Sequence, residues 1–368
     1  MKNVPLFKVS LPEGIEQVLK PVLESGYISE GPKAAEFEQK LGDWIGNPWT
    51  ALTSSGTMSL TIALRLAGVG SGTEVITSPM TCLASNEPIL SLGGVPVWCD
   101  IDPATGNIDP AKVQELITDK TKAILFVDWA GTPCELSDLS EIAHGHGLKT
   151  IEDAAHSFGA QFAGKKVGQL GDYVCFSHQA IKHLTTIDGG SLSCASQDDY
   201  ERAKLLRWFG CRRGHNDSPI KWEGDVVEYG YKGHMNDVNA TIGLEQLKTI
   251  DSRIDIHKKN GSYLTQALED CPNIETLKIP DYIDSSHWIY TIKCKNSIHR
   301  EKVATALTEA GIRSGIVHTR NDWYSLFEGS RKRLPRLDDF GSRMLSVPCG
   351  WWAEQNDLDN IVKVLHEN

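Results

Sequence analysis

The chain has 368 residues, of which 40% are apolar and 23% charged, and its formal net charge is −11. Nucleic-acid binding needs a concentrated basic face, so this charge argues against nucleic acid as the main partner. No stretch approaches eighteen consecutive apolar residues and the first residues lack the pattern of a signal peptide, so we expect neither a membrane span nor secretion.

Helical and strand patterns alternate in the first half of the chain. In chain order they predict a helix at 34–45, a helix at 57–67, a strand at 74–77, a helix at 83–92, a strand at 95–99, a helix at 110–117, a strand at 123–127, a helix at 136–146, and strands at 149–152, 173–177 and 191–194. Repeated strand–helix–strand units indicate an α/β fold, with a mainly parallel sheet covered by helices on both faces.

The pattern changes after long helices predicted over 236–269. A strand at 288–293, a helix at 299–310, a strand at 312–317 and a helix at 356–366 follow. We therefore expect a large domain over 1–250 and a smaller C-terminal α/β domain over 251–368. The N-terminal segment is expected to pack on the small domain.

Nine scattered cysteines include no C-x-x-C pair. This usage is typical of free thiols in a reducing compartment, and it predicts a cytoplasmic protein. No spacing of His, Cys, Asp or Glu indicates a metal site. The glycine-rich run at 68–72 follows a helix and precedes a strand, the reverse of a dinucleotide loop, so nicotinamide binding is not expected.

Small residues stand at the start of the helix predicted at 57–67. Ser55, Gly56 and Thr57 would lie where a helix presents free N–H groups and the positive end of its dipole, which suits a phosphate. A plain N-cap is the simpler alternative.

Two further chemical groups follow predicted strands. Asp153 ends one strand, at the edge where parallel sheets bind ligands, and would either cap the next segment or pair with a ligand cation. Lys182 follows Ser177 with no acidic residue within five positions. A buried lysine without a counter-ion has a lowered pKa, and its neutral amine can form a Schiff base, whereas a surface lysine would be solvated. A helix start that suits a phosphate, a carboxylate and a neutral amine are together the groups that pyridoxal 5'-phosphate (PLP) requires.

The motifs that carry these groups resemble the DegT/StrS family of fold type I PLP-dependent sugar aminotransferases over nearly the whole chain. They are SGYISEGPKAAEFEQKLGDWIG (25–46), SGT (55–57), IEDAAHSFGA (151–160), GQLGDYVCFS (168–177), KHLTTIDGG (182–190), EYGYKGHMNDVNATIGLEQL (228–247) and SVPCGWW (346–352).

This resemblance implies roles for single residues. Lys182 would bind PLP and move protons, Asp153 would pair with the pyridinium nitrogen, and His156 would lie near the ring hydroxyl. Pyridoxamine 5'-phosphate would be the intermediate form of the cofactor. The phosphate would be held by Gly56, Thr57 and Ser177.

Two positions depart from the family pattern. Cys82 stands where many members have an aromatic residue that stacks on the cofactor ring. Lys232 replaces an asparagine that in relatives reaches the phosphate of the neighbouring subunit, and a lysine can still bind phosphate as a point charge.

The resemblance also implies an amino-acid donor, typically glutamate, a keto-sugar acceptor that is usually nucleotide-linked, and a homodimer with shared active sites. Candidate substrate residues are Tyr27, His183, Arg313, His318 and Arg320, with surface or packing roles as the alternative. Two other functions stay open: a sugar dehydratase, whose family replaces the lysine with histidine, and a non-catalytic regulator with the same fold.

Overall fold

The computed structural model describes residues 3–26, 28–212 and 225–368. Its strands are β1 (Thr50–Thr53), β2 (Glu74–Thr77), β3 (Val95–Trp98), β4 (Thr121–Val127), β5 (Lys149–Asp153), β6 (Gln161–Phe162), β7 (Lys165–Lys166), β8 (Tyr173–Ser177), β9 (Gly190–Cys194), β10 (Ile274–Thr276), β11 (Ile283–Asp284), β12 (Tyr290–Cys294) and β13 (Met344–Val347).

The helices surround these strands. They are α1 (Ile15–Glu24), α2 (Pro32–Ile45), α3 (Gly56–Leu66), α4 (Leu83–Ser91), α5 (Pro110–Gln114), α6 (Leu136–Gly145), α7 (Gln197–Leu206), α8 (Asp237–Leu247), α9 (Ile250–Ala267), α10 (Ser297–Glu309), α11 (Pro335–Arg343) and α12 (Gln355–Glu367). Within the described ranges, no helix combines the length and the hydropathy needed to cross a bilayer.

A seven-stranded sheet forms the centre of the larger part, in the order β1-β9-β8-β5-β4-β2-β3. Strands β8, β5, β4, β2 and β3 run parallel, while β9 is antiparallel to both of its neighbours. The run Ala123–Val127 in β4 is buried throughout, as expected for a strand covered on both faces. The predicted α/β fold with a mainly parallel sheet is confirmed.

The C-terminal part has its own three-stranded antiparallel sheet, in the order β10-β12-β13. Helix α9 contributes to two cores: Ile254 packs with the large-sheet cluster, and Leu264 packs with the cluster of the smaller sheet. At the other end of the chain, the Val4 N–H donates to the Gly311 carbonyl at 2.9 Å. The domain boundary near residue 250 stays a prediction: α9 begins there, at Ile250, and its residues pack into both cores.

The strand predicted at 312–317 was wrong. Only isolated bridges occur there, from Ile312 to Val4 and from Gly315 to Ser346. A glycine in mid-strand offers no side chain to pack and marks an interruption in pairing. Strand β13 (Met344–Val347) takes the place beside β12 instead.

Candidate active site

The C-terminal ends of two paired strands bring the predicted residues to one edge of the sheet. Asp153 is the last residue of β5 and Ser177 the last of β8, and these strands pair in parallel with Asp153 opposite Cys175. Gly56 starts α3 against the same edge, where a Cβ atom on it would lie 2.9 Å from Ser177 Cβ. Because ligands bind beyond the carboxyl ends of parallel strands, this edge is the candidate active site.

The amino terminus of α3 has the features of a phosphate site. The Ser55 hydroxyl caps the helix by accepting from the Met58 N–H at 3.1 Å. The N–H groups of Gly56 and Thr57 have no partner within the helix, since the first turn of a helix leaves its donors free. Thr57 is exposed and the Ser177 hydroxyl adjoins Gly56. These donors and the helix dipole fit a phosphate dianion.

Lys182 is half-buried, and its amine lies against an aromatic ring. The Nζ atom is 3.8 Å from the centre of the Trp288 ring. Burial lowers the pKa of Lys182 to about 8, although the nearby charges of Asp153 and Cys82 act to raise it. Near neutral pH a useful fraction of the amine is therefore unprotonated, which is the form that reacts with a carbonyl carbon.

Asp153 is only 4% exposed, and both of its oxygens accept hydrogen bonds. Oδ2 accepts from the Ser85 hydroxyl at 2.6 Å and Oδ1 from the Ala155 N–H at 3.1 Å. Burial raises the pKa of Asp153, while these hydrogen bonds and the charge of Lys182 lower it. A cation placed beside this carboxylate would relieve the cost of its burial, so the site fits a protonated ring nitrogen.

His156 and His318 add two neutral imidazoles to the same site. The His156 ring stacks on Trp288 with centroids 3.9 Å apart, and the His318 ring lies 5.6 Å from that of His156. Burial, with Lys182 nearby, holds the pKa of His156 well below its usual range and lowers that of His318 to about 4. Among the described residues, His156 Nδ1 and His318 Nε2 are buried without a hydrogen-bond partner. Such atoms fit a ligand that supplies the missing partner.

The remaining candidate residues lie in surroundings that differ from those of Lys182, Asp153 and His156. Cys82 is exposed at the start of α4 and interacts electrostatically with Lys182. His183 points into the interior, where its Nε2 lies 3.1 Å from the Ser286 carbonyl oxygen and its ring 4.7 Å from that of His257. This packing favours a structural role for His183, and its contact with substrate stays a prediction.

Arg320 was predicted to contact the substrate, but its guanidinium group forms ion pairs with two carboxylates of the protein. Its Nε and Nη2 atoms donate to the two carboxylate oxygens of Asp322, at 2.9 and 2.7 Å, and Nη1 pairs with Asp338. The side chain is buried, so this geometry favours a structural role. Arg313 is exposed.

Lys232 is exposed, and the adjacent Gly233 carbonyl accepts from the Ser54 N–H at 2.7 Å. Its backbone therefore lies beside the segment that leads into α3. Tyr27 lies outside the described residues.

Sequence reasoning missed Trp288, whose Nε1 also donates to the Ile181 carbonyl at 2.9 Å. The residue stood in a predicted strand more than a hundred positions from Lys182, and its sequence context carries no signal of this contact.

A carboxylate at the end of one parallel strand, a lysine in the loop after its neighbour and a helix terminus suited to phosphate define a PLP-dependent transferase of fold type I. The chain belongs to the DegT/DnrJ/EryC1/StrS aminotransferase family, whose profile matches residues 10–366. It is a PLP-dependent sugar aminotransferase, and PLP, with its pyridoxamine form, is the cofactor.

Relatives of known sequence and structure span nearly the whole chain. It is 32% identical over 372 residues to the spore coat polysaccharide biosynthesis protein SpsC of Bacillus subtilis, covering 96% of this chain and 94% of SpsC. The crystal structure of AtS13 from Actinomadura melliaura has a TM-score of 0.94 at 35% identity, covering 100% and 99% of the two chains. The sugar aminotransferase CalS13 from Micromonospora echinospora has a TM-score of 0.95 at 33% identity, covering 99% and 100%.

Proposed function

We propose that this aminotransferase takes an amino group from L-glutamate and delivers it to a nucleotide-linked keto sugar, in the biosynthesis of amino sugars for a surface polysaccharide or a glycosylated metabolite. The observation that carries the proposal is geometric: Asp153 ends β5, Lys182 follows the end of the adjacent strand β8, and both therefore lie at the same edge of the sheet. The relatives support it, since one is named for polysaccharide biosynthesis and another as a sugar aminotransferase.

Each protein group then has a task in this proposal. Bound PLP supplies a carbonyl carbon that condenses with amines and a ring that withdraws electrons. Lys182 supplies the amine that holds the cofactor and moves protons, since its lowered pKa lets it accept and donate them near neutral pH. Asp153 would keep a proton on the ring nitrogen, and His156, whose Nδ1 has no hydrogen-bond partner among the described residues, would lie near the ring hydroxyl.

The other residues of the site bind and orient the cofactor and the substrate. Gly56, Thr57 and Ser177 would hold the phosphate at the start of α3, and His318, whose Nε2 has no hydrogen-bond partner in the described part of the chain, would contact the substrate. The resemblance to the family assigns further contacts with cofactor or substrate to four more residues, Tyr27, Cys82, Lys232 and Arg313. We place Lys232 at the phosphate of a second copy of the chain, in a cytoplasmic homodimer with shared active sites.

The presence of Lys182 argues against the dehydratase alternative, which needs a different residue there, and intact Asp153 and Ser177 argue against a non-catalytic regulator.

The proposal is tested with the purified protein. It should be yellow, and borohydride followed by peptide mass spectrometry should find the cofactor attached to Lys182. A panel of keto sugars, each with and without its nucleotide, should then show which acceptor consumes the pyridoxamine form generated by L-glutamate. Protein that stays colourless with added PLP would overturn the enzymatic function. A preference for free sugars, or for another amino acid, would overturn only the substrate assignment.

A further inference from the structure

A chain of buried hydroxyl groups leads from Asp153 to the loop before α4. The Ser85 hydroxyl donates to Asp153 Oδ2 at 2.6 Å, and Thr81 Oγ1 lies 2.7 Å from Ser85 Oγ. Thr81 and Ser85 are each 1% exposed, so water has no access to replace either partner. The two hydroxyls therefore act on Asp153 as one connected unit.

The chemistry of these groups fixes the direction of the bonds. A hydroxyl has one proton to donate, and an ionised carboxylate only accepts, so the proton of Ser85 points at Asp153. Ser85 Oγ must then accept from Thr81. Each donated proton polarises the next bond, so the Thr81 hydroxyl strengthens the hydrogen bond that reaches the carboxylate.

Asn321, a residue of the C-terminal part, holds the Thr81 end of this series of hydrogen bonds. Asn321 Nδ2 donates to the Thr81 carbonyl at 2.7 Å, across 240 positions of sequence, and the Asn321 backbone N–H donates to Pro79 at 2.8 Å. Its Oδ1 accepts from Asn86 Nδ2 at 2.8 Å. Asn321 is 1% exposed, and its backbone N–H and side-chain amide together make three hydrogen bonds, two to the loop before α4 and one to Asn86 within α4.

We propose that Thr81 and Ser85 form a hydrogen-bond relay to Asp153, in which both are positioning residues that hold Asp153 ionised and oriented toward the ring nitrogen of the cofactor. Asn321 in turn holds Thr81 in place. The inference rests on the role given to Asp153 in the proposed function. Burial favours the neutral acid, and donors aimed at the carboxylate favour its charged form. Lys182 acts in the same direction as the relay, and the charge of Asp153 in turn raises the pKa of the buried Asp128.

The test measures PLP binding by the apoprotein, together with the visible absorption of bound PLP as a function of pH. Ser85→Ala should raise the Kd for PLP about tenfold to a hundredfold, because a hydrogen bond to a charged group contributes about that much. Thr81→Val, which keeps the shape and loses the hydroxyl, and Asn321→Ala should each raise it about threefold to tenfold. Thr81→Ser retains the hydroxyl and should bind PLP like the unaltered protein.

A second buried hydroxyl pair provides the matched control. Thr50 Oγ1 and Ser193 Oγ lie 2.8 Å apart, equally buried, at the end of β1 away from Gly56. Thr50→Val and Ser193→Ala should lose similar stability without changing the Kd for PLP or the absorption profile. If Ser85→Ala does not fold, Thr81→Val and Thr81→Ser decide the question.

The outcomes separate the relay from the function on which it rests. Weak PLP binding by Asp153→Asn with normal binding by Ser85→Ala and Thr81→Val would overturn the relay alone. Normal PLP binding and activity in Asp153→Asn would overturn both the relay and the role of Asp153. Equal losses in the Thr50 and Ser193 variants would show that any buried hydroxyl pair has this effect, and would also overturn the relay.

Discussion

The amine of Lys182 lies 3.8 Å from the centre of the Trp288 ring, and the same indole is stacked on His156 and donates its N–H to the Ile181 carbonyl. One aromatic side chain thus contacts the reactive lysine, the residue before it and a second residue of the site. Phe7, from the N-terminal segment, stacks on Trp288 at 4.7 Å. The position of the lysine therefore depends on parts of the chain that are remote in sequence.

The first prediction concerns this contact. Trp288→Leu keeps the surroundings of Lys182 apolar but removes the ring face that attracts an ammonium group, so the pKa of Lys182 should fall below about 8. The expected decrease is about 0.4 to 1.5 pH units, from the usual strength of a cation–π contact. It is measured from the pH dependence of chemical modification of Lys182 in the apoprotein. Lys166 lies 3.7 Å from the Trp44 ring, so Trp44→Leu is the matched control and should leave Lys182 unchanged. A raised or constant pKa in Trp288→Leu would contradict the prediction.

The second prediction concerns the cost of burying the same lysine. Lys182→Met should abolish transamination, because methionine has no amine. It should also raise the free energy of unfolding of the apoprotein by about 1 kcal/mol, since a lysine whose pKa is lowered in the folded state destabilises it at neutral pH. Urea unfolding at pH 7 measures this. Lys149→Met removes a cation that pairs with Asp172 at 2.7 Å, and should give no such gain. A less stable Lys182→Met variant would show that the amine is not destabilising.

The third prediction is a loss of stability in acid. Burial lowers the pKa of His257 and of His287 to about 4, with Arg253 beside His257 acting in the same direction. The unfolded chain then binds protons more readily, so stability is full above about pH 6.5 and is lost as the pH falls toward 4. Each histidine contributes up to about 1.4 kcal/mol per pH unit in this window.

His257→Asn tests this pH dependence, because its amide can still donate to the His287 carbonyl, which now accepts from His257 at 2.9 Å. Urea unfolding between pH 4.5 and 7.5 should give a shallower slope for this variant. His366→Asn, at an exposed position, should keep the slope of the unaltered protein. A slope that His257→Asn leaves unchanged would remove His257 from the explanation.

The fourth prediction distinguishes a structural role of Arg320 from a role in binding substrate. Arg320→Lys loses the paired hydrogen bonds to Asp322 and should lower the free energy of unfolding by about 3 kcal/mol, because it leaves a buried charge poorly paired. Arg336→Lys alters an exposed ion pair with Asp109 and should cost less than about 1 kcal/mol. If Arg320 binds substrate instead, Arg320→Lys will raise the KM for glutamate or for the sugar with little change in stability.

Sequence patterns predicted the large sheet well, because buried parallel strands are short apolar runs separated by amphipathic helices. Strand β2 and strand β8 lie where they were predicted. The pattern failed at 312–317, where Ile312, Ile316 and Val317 flank Gly315 but the segment pairs only through isolated bridges. Apolar residues in a short segment do not reveal whether a partner strand is available, and here β13 occupies the place beside β12.

By itself, the sequence determined the chemical groups of this protein: a lysine without acidic neighbours, a carboxylate at a strand end and small residues at a helix start. The alternation of strand and helix patterns indicated an α/β fold, and the combination of these three groups indicated PLP chemistry. Only the tertiary structure decided what surrounds those groups. It placed Trp288 against Lys182 and paired Arg320 with Asp322. It also linked Asn321, through Thr81 and Ser85, to Asp153. These contacts join residues far apart in sequence, and they arise from packing and from the pairing of buried polar groups, which no local pattern records.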